Sequence, residues 1–186
     1  MFLRLTLALA LVATVATVRA QDAKTNEPPK APDGWKLLTA KDRSYQFLAP
    51  TEVKRHGTRS PTFKGSGASG RAQVDFFTLA DGTVLTVTAT NLSGPAVRNM
   101  TLDEAVKLMT DNDKEGGGTV SEPKDVTAGP LAGKEYTVTT PKDAMRVDLF
   151  FVKGHIYLMS VAAKEKDKLT GETADTFLKS LVVTGK

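Results

Sequence analysis

Residues 145–163 constrain the fold of this chain more than any other stretch. Met145, Val147, Leu149 and Phe151 share one side of a period-two pattern, with Arg146 and Asp148 between them. Lys153-Gly154-His155 then supplies a turn, and residues 156–163 continue as a second run. In its middle the hairpin is apolar on both sides, because Phe150, Val152, Tyr157 and Met159 join Leu149, Phe151, Ile156 and Leu158. Neither face of such a hairpin can be left in water, so its sheet needs a covering layer on each side.

Further strands and the covering helices follow from the same patterning. Residues 73–79 and 83–90 flank Ala80-Asp81-Gly82, where Asp-Gly supplies the positive φ of a tight turn. Leu85, Val87 and Ala89 alternate there with Val84, Thr86, Thr88 and Thr90. Residues 120–127 and 134–140 read as strands separated by Gly129-Pro130. Thr101-Leu102-Asp103-Glu104 is a capping box, and Leu102, Ala105, Val106 and Met109 then recur at helical spacing, which predicts a helix to about Thr110. Ala174, Phe177, Leu178 and Leu181 repeat that spacing and predict a second helix of about three turns, capped by Thr170. The expected fold class is α+β: an antiparallel sheet of about six strands with helices packed on its faces, an α/β/α sandwich.

The opening residues have the order of a secretory leader. Arg4 precedes an apolar run over residues 5–18, interrupted only by Thr6, Thr14 and Thr17, and Val18-Arg19-Ala20 fits a small-residue cleavage site. A membrane-spanning helix needs about 20 apolar residues, so this core suits a leader over residues 1–20 better than an anchor, although a retained anchor is the alternative. Residues 21–34, rich in proline and without a large apolar side chain, read as an extended tether. Residues 35–186 are then one domain. The expected location is periplasmic or secreted, with no stable membrane insertion after cleavage. An exported chain could use disulfides, yet this one has no cysteine, so its stability must come from its core. Losing Arg4 and Arg19 with the leader halves the formal charge from +4 to +2, too little to suggest a nucleic-acid partner.

Few residues carry recognisable chemistry. Residues 64–70 contain G-x-G-x-x-G, but the run leads into a strand rather than a helix, so it reads as a strand connection and not a dinucleotide site. Residues 111–122, DNDKEGGGTVSE, place Asp111, Asp113, Glu115 and Glu122 where a calcium loop has oxygen ligands. Against that reading, Gly118 stands where an apolar residue normally packs, and Pro123 with Gly129 forbids an exiting helix. The competing reading is a helix end with a glycine cap. Lys54, Arg55, Arg59, Lys64 and Arg71 cluster around Phe63 with only Glu52 as a nearby counter-charge, and these are the candidate partner-binding residues. Two histidines, His56 and His155, cannot by themselves assemble a metal triad or a nucleophile–base pair, so no catalytic residue and no cofactor is expected.

Several short pieces occur together: Gly34-Trp35, then Tyr45-Gln46-Phe47-Leu48-Ala49-Pro50, then Gly133-Lys134-Glu135-Tyr136, then Arg146 opening a strand that leads to Ile156-Tyr157-Leu158, and finally Phe177-Leu178-Lys179-Ser180-Leu181. In this order the chain resembles the PsbP/DcrB-like α/β sandwich family. The resemblance implies an antiparallel sheet with helices on its faces, used mostly to bind other proteins, and it transfers no catalytic residue. The functional expectation is an exported, non-enzymatic binding or assembly module of the bacterial envelope, with an envelope protein or an anionic polymer as partner. The alternatives are a small-ligand or calcium binder using residues 111–122, and a hydrolase whose site a single sequence conceals.

Overall fold

The structure is a computed structural model that describes residues 29–65 and 68–184. The leader read over residues 1–20 and most of the tether lie outside the described residues. The chain then forms β1 (Trp35–Thr39), β2 (Tyr45–Pro50), β3 (Arg55–Arg59), β4 (Thr62–Gly65), β5 (Ala68–Thr78) and β6 (Val84–Ser93). After helix α1 (Leu102–Glu115) come β7 (Thr119–Val120), β8 (Lys124–Ala128), β9 (Leu131–Thr139), β10 (Ala144–Val152) and β11 (His155–Ala163). Helix α2 (Glu172–Leu178) and β12 (Val182–Val183) complete the order.

These strands make two antiparallel sheets, not one of about six strands. The larger has nine, in the order β3-β5-β6-β11-β10-β9-β7, with β4 also on β5 and β8 also on β9. The smaller is β1-β2-β12. Both edges of the large sheet are made of two short strands that share one long neighbour. On one edge β3 pairs with the second half of β5 and β4 with the first. On the other, the strand expected over residues 120–127 is broken into β7 and β8, because Pro123 has no N–H to give to the ladder. Short, interrupted edges are poor templates for unwanted pairing with another chain.

The central hairpin forms as its sequence requires. Lys153 and Gly154 sit at φ 49° and 82°, the left-handed pair of a two-residue turn, and Val152 faces His155 across it. His155 thus opens β11 instead of belonging to the turn. The two faces of the hairpin are covered by different layers. On one, Ala105 and Val106 of α1 pack against Tyr136, Val138, Val147 and Leu149. On the other, Tyr45, Phe47 and Ala49 of the small sheet and Phe177 and Leu178 of α2 meet Phe77, Leu85, Phe150, Tyr157 and Met159. Phe47 is the hub of this second core, edge-on to Phe77 at 6.0 Å and to Phe177 at 6.4 Å between ring centroids.

The helices differ from expectation at their ends. The capping box forms, with Thr101 Oγ1 accepting from the Glu104 amide and Glu104 accepting from the Thr101 amide, but α1 continues to Glu115 instead of stopping near Thr110. Helix α2 is only seven residues long, starts from Gly171 without a side-chain cap, and ends before Leu181. Thr170 instead closes a 3-10 turn over Lys166–Leu169, its hydroxyl donating to the Asp167 carbonyl. Leu181 is still buried, because the chain turns directly into β12. Buried Ser180 joins the layers: its hydroxyl donates to the Phe177 carbonyl at 2.6 Å and accepts from the Leu48 amide at 3.0 Å, beside a β12 of only two residues.

Candidate functional site

Helix α1 packs over β7, β9 and β10, and the sheet face beyond it forms a shallow apolar hollow. Its floor is laid out by register: Ala72, Thr90 and Ile156 make one row across β5, β6 and β11, and Val74, Thr88 and Leu158 make the next. Leu108 and Met109 of α1 wall it on one side and Pro61 and Thr62 on the other, around a volume of about 210 Å³. The alternation read in the sequence explains the composition, since β6 turns Leu85 and Val87 to the core and Thr86, Thr88 and Thr90 to this face. Threonine methyls with hydroxyls beside them suit a surface that is wet until a partner covers it.

Next to the hollow lie two of the five basic residues of the predicted cluster. Arg55 and Arg59, both exposed, place their guanidinium carbons 5.6 and 5.3 Å from the centroid of the Phe76 ring. Gly57 lies between them, and a Cβ there would come within 2.4 Å of that ring, so the stack depends on the missing side chain. The rest of the cluster disperses. Lys54 donates its backbone amide to the Thr78 carbonyl at the head of β3, and Arg71 lines a cleft on the opposite face. Phe63 and Lys64 belong to β4 by their backbone, but their side chains lie outside the described set. His56, beside Arg55, stacks flat on Phe77 with ring centroids 4.5 Å apart.

The acidic stretch takes its helix-end reading and not its calcium-loop one. Asp111, Asp113 and Glu115 all belong to α1, where Asp111 pairs with Lys107 one turn earlier and Asp113 accepts from the Tyr136 hydroxyl at 3.2 Å. Burial pushes the Asp113 carboxyl up from its ordinary value, against the hydrogen bond from Tyr136. Glu122 is exposed beyond β7. Among the described residues, no group of three or more histidine, cysteine or carboxylate side chains is arranged to hold a metal ion. Gly116–Gly118 close the helix, with the Gly116 amide donating to the Asn112 carbonyl and the Gly118 amide to that of Asp113.

One charged constellation escapes the sequence reading. Arg146 donates through Nε to Glu135 at 2.7 Å and through Nη1 to Asp175 at 2.8 Å and the Leu169 carbonyl at 3.2 Å. It therefore ties β9, β10, the 3-10 turn and α2 together. Two residues along, Asp148 is only 3 % exposed, and among the described residues its Oδ1 has no hydrogen-bond partner. Burial lifts its pKa to about 6, against the pull of Arg146 and with the push of Glu135 and Asp175. A signal was present in the sequence, since Arg146 and Asp148 interrupt an otherwise apolar hairpin. Glu135 and Asp175, in contrast, have nothing local to mark them. An open cleft of about 450 Å³ borders Arg146, Glu135 and Asp175, but Asp148 does not line it, so a titrating acid and an accessible substrate position are not brought together.

No family model matches the chain, and no curated protein matches it by sequence. Among solved structures, it is similar to the solution structure of cyanobacterial PsbP (CyanoP) from Synechocystis sp. PCC 6803. The likeness has a TM-score of 0.51 at 16 % identity and covers 82 % of this chain and 94 % of that one. The fold is PsbP-like. Among the described residues, no helix is long and apolar enough to cross a membrane.

Proposed function

We propose that the protein is an exported, non-catalytic binding or assembly module that docks an acidic segment of an envelope protein onto its half-open helix face. The observation that carries this reading is the apolar hollow of Val74, Thr88 and Leu158 beside two exposed guanidiniums held on Phe76. Such a surface offers apolar burial for a partner side chain next to charge that favours carboxylates. The stack also holds the arginines in place before binding, which lowers the ordering cost of using them. The PsbP-like fold and the leader-like order of residues 1–20 support the same reading.

The test is site-specific photocrosslinking in native envelope extract. A crosslinker at position 74 or 158 should trap one discrete protein adduct, reduced by raised salt and by R55E/R59E. Equivalent labelling from a control position such as Lys36 on the small sheet would refute a dedicated face. An adduct resistant to protease would replace the protein partner with an anionic polymer.

A further inference from the structure

The opposite face of the large sheet carries a second, chemically different cleft. The strand register builds it from two rows. Arg71, Asn91 and His155 stand side by side on β5, β6 and β11, and Gln73, Ala89 and Tyr157 form the next row. Neighbouring strands lie about 4.8 Å apart, so the three polar side chains of the first row span roughly 10 Å. In the second row Ala89 contributes one methyl between two larger side chains, which leaves a hollow of about 300 Å³. The turn before β2 closes one end. There Asp42 Oδ1 accepts from the Ser44 amide at 3.0 Å and its hydroxyl at 2.7 Å, and these bonds hold the Asp42 carboxyl below its usual range.

Two features of this cleft are unexplained by folding. Tyr45 lines it and is 1 % exposed; among the described residues its hydroxyl has no hydrogen-bond partner within bonding distance, and burial with the neighbouring Asp75 carboxylate pushes its ionisation up. Arg71 is exposed at the mouth and, among the described residues, makes no ion pair. With one arginine and one ionised aspartate, the cleft is close to neutral and carries both signs of charge. A dianion would meet Asp42, whereas a monocarboxylate with a donor beside it would meet complementary groups at both ends.

We infer that this cleft binds a small α-amino or α-hydroxy acid, its carboxylate taken by Arg71 and Asn91 and its adjacent ammonium or hydroxyl directed to Asp42. A guanidinium and a side-chain amide both donate to a carboxylate in a plane, which a point charge would not do. The site is independent of the docking face, since its side chains point to the other side of the sheet.

The experiment is an amide chemical-shift titration of the protein with L-alanine, L-lactate and propionate, followed at Arg71, Asn91 and His155. L-alanine or L-lactate should give saturable shifts, and whichever binds better says whether the adjacent donor is an ammonium or a hydroxyl. Propionate, without that donor, should bind about tenfold more weakly. R71Q should weaken binding by about tenfold or more. The inference is overturned by the absence of saturable shifts with both acids up to about 50 mM, a binding level that a charge-assisted hydrogen-bonded pair should exceed. Unchanged affinity in R71Q would also overturn it.

Discussion

Replacing Asp148 with asparagine should stabilise the protein at neutral pH, which is unusual for a substitution in the middle of a buried strand. Asp148 is 3 % exposed, lies opposite Glu135 in the β9–β10 register, and has no hydrogen-bond partner for Oδ1 among the described residues. Burial lifts its pKa from 3.8 to about 6, and Arg146 only partly opposes this. At about 1.4 kcal/mol for each pH unit, keeping the carboxyl ionised in the fold costs roughly 3 kcal/mol at pH 7.5. The direction follows from the raised folded value. The neutral acid's contribution is fully present below about pH 4 and is lost as pH rises through about 6. Asparagine matches the shape of the acid and stays neutral at every pH. Urea unfolding of D148N should therefore show a gain of about 3 kcal/mol at pH 7.5 that shrinks to nothing near pH 4. In thermal melts at pH 7.5 the same gain amounts to about 6–12 °C for a domain of this size. A gain equal at both pH values, or a loss at pH 7.5, would refute the reasoning, because either would mean that the ionised carboxylate is not the source of the cost.

The charge network gives a complementary expectation. R146M should cost about 2–3 kcal/mol at pH 7, because Glu135 and Asp175 lose a shared cation, and the loss should shrink well below pH 4 as the Asp175 carboxyl, which Lys179 and Arg146 hold below its ordinary value, becomes protonated; chemical unfolding at the two pH values checks it, and a pH-independent loss would make Arg146 merely a packing residue. G133A should be among the most damaging small changes, about 3 kcal/mol or more by urea melt, since its Cβ would come within 2.6 Å of the Leu149 carbonyl oxygen as well as 2.5 Å of the Phe150 ring. A loss under about 1 kcal/mol would show that β9 and β10 can separate locally without cost.

Much of the fold was legible because its signals are local. A tight turn is set by the φ preferences of two residues, as at Lys153-Gly154, and a capping box by four, as at Thr101 to Glu104. The two-sided apolar hairpin likewise determined that the sheet would be covered on both faces. What covers each face was not determined locally. Backbone ladder bonds carry no residue code, so the pairing of β12 with β2, 132 residues or more away in sequence, could only be fixed once α2 had docked and Ser180 had met the Leu48 amide. The predicted strand over residues 120–127 kept its place on β9 but was divided by a single missing amide at Pro123.

The candidate sites divide along the same line. Sequence alone supplied the basic residues and the acidic run, because composition is visible in one dimension. Alternation along β5 then separated Arg71 from the arginines stacked on Phe76, sending them to opposite faces of one sheet. Of the two readings of the acidic run, the structure takes the glycine-capped helix end and not the calcium loop: Asp111 to Glu115 form the last turn of α1, because helical hydrogen bonds continue to the Gly116 cap. Tertiary structure alone gathered Arg146, Glu135 and Asp175 from three elements and isolated Asp148 beneath them. The physical reason is that a side chain's chemistry is written in the sequence, whereas its burial and its partners belong to the packing of distant segments, and those decide which charges are solvated, paired or held at a cost.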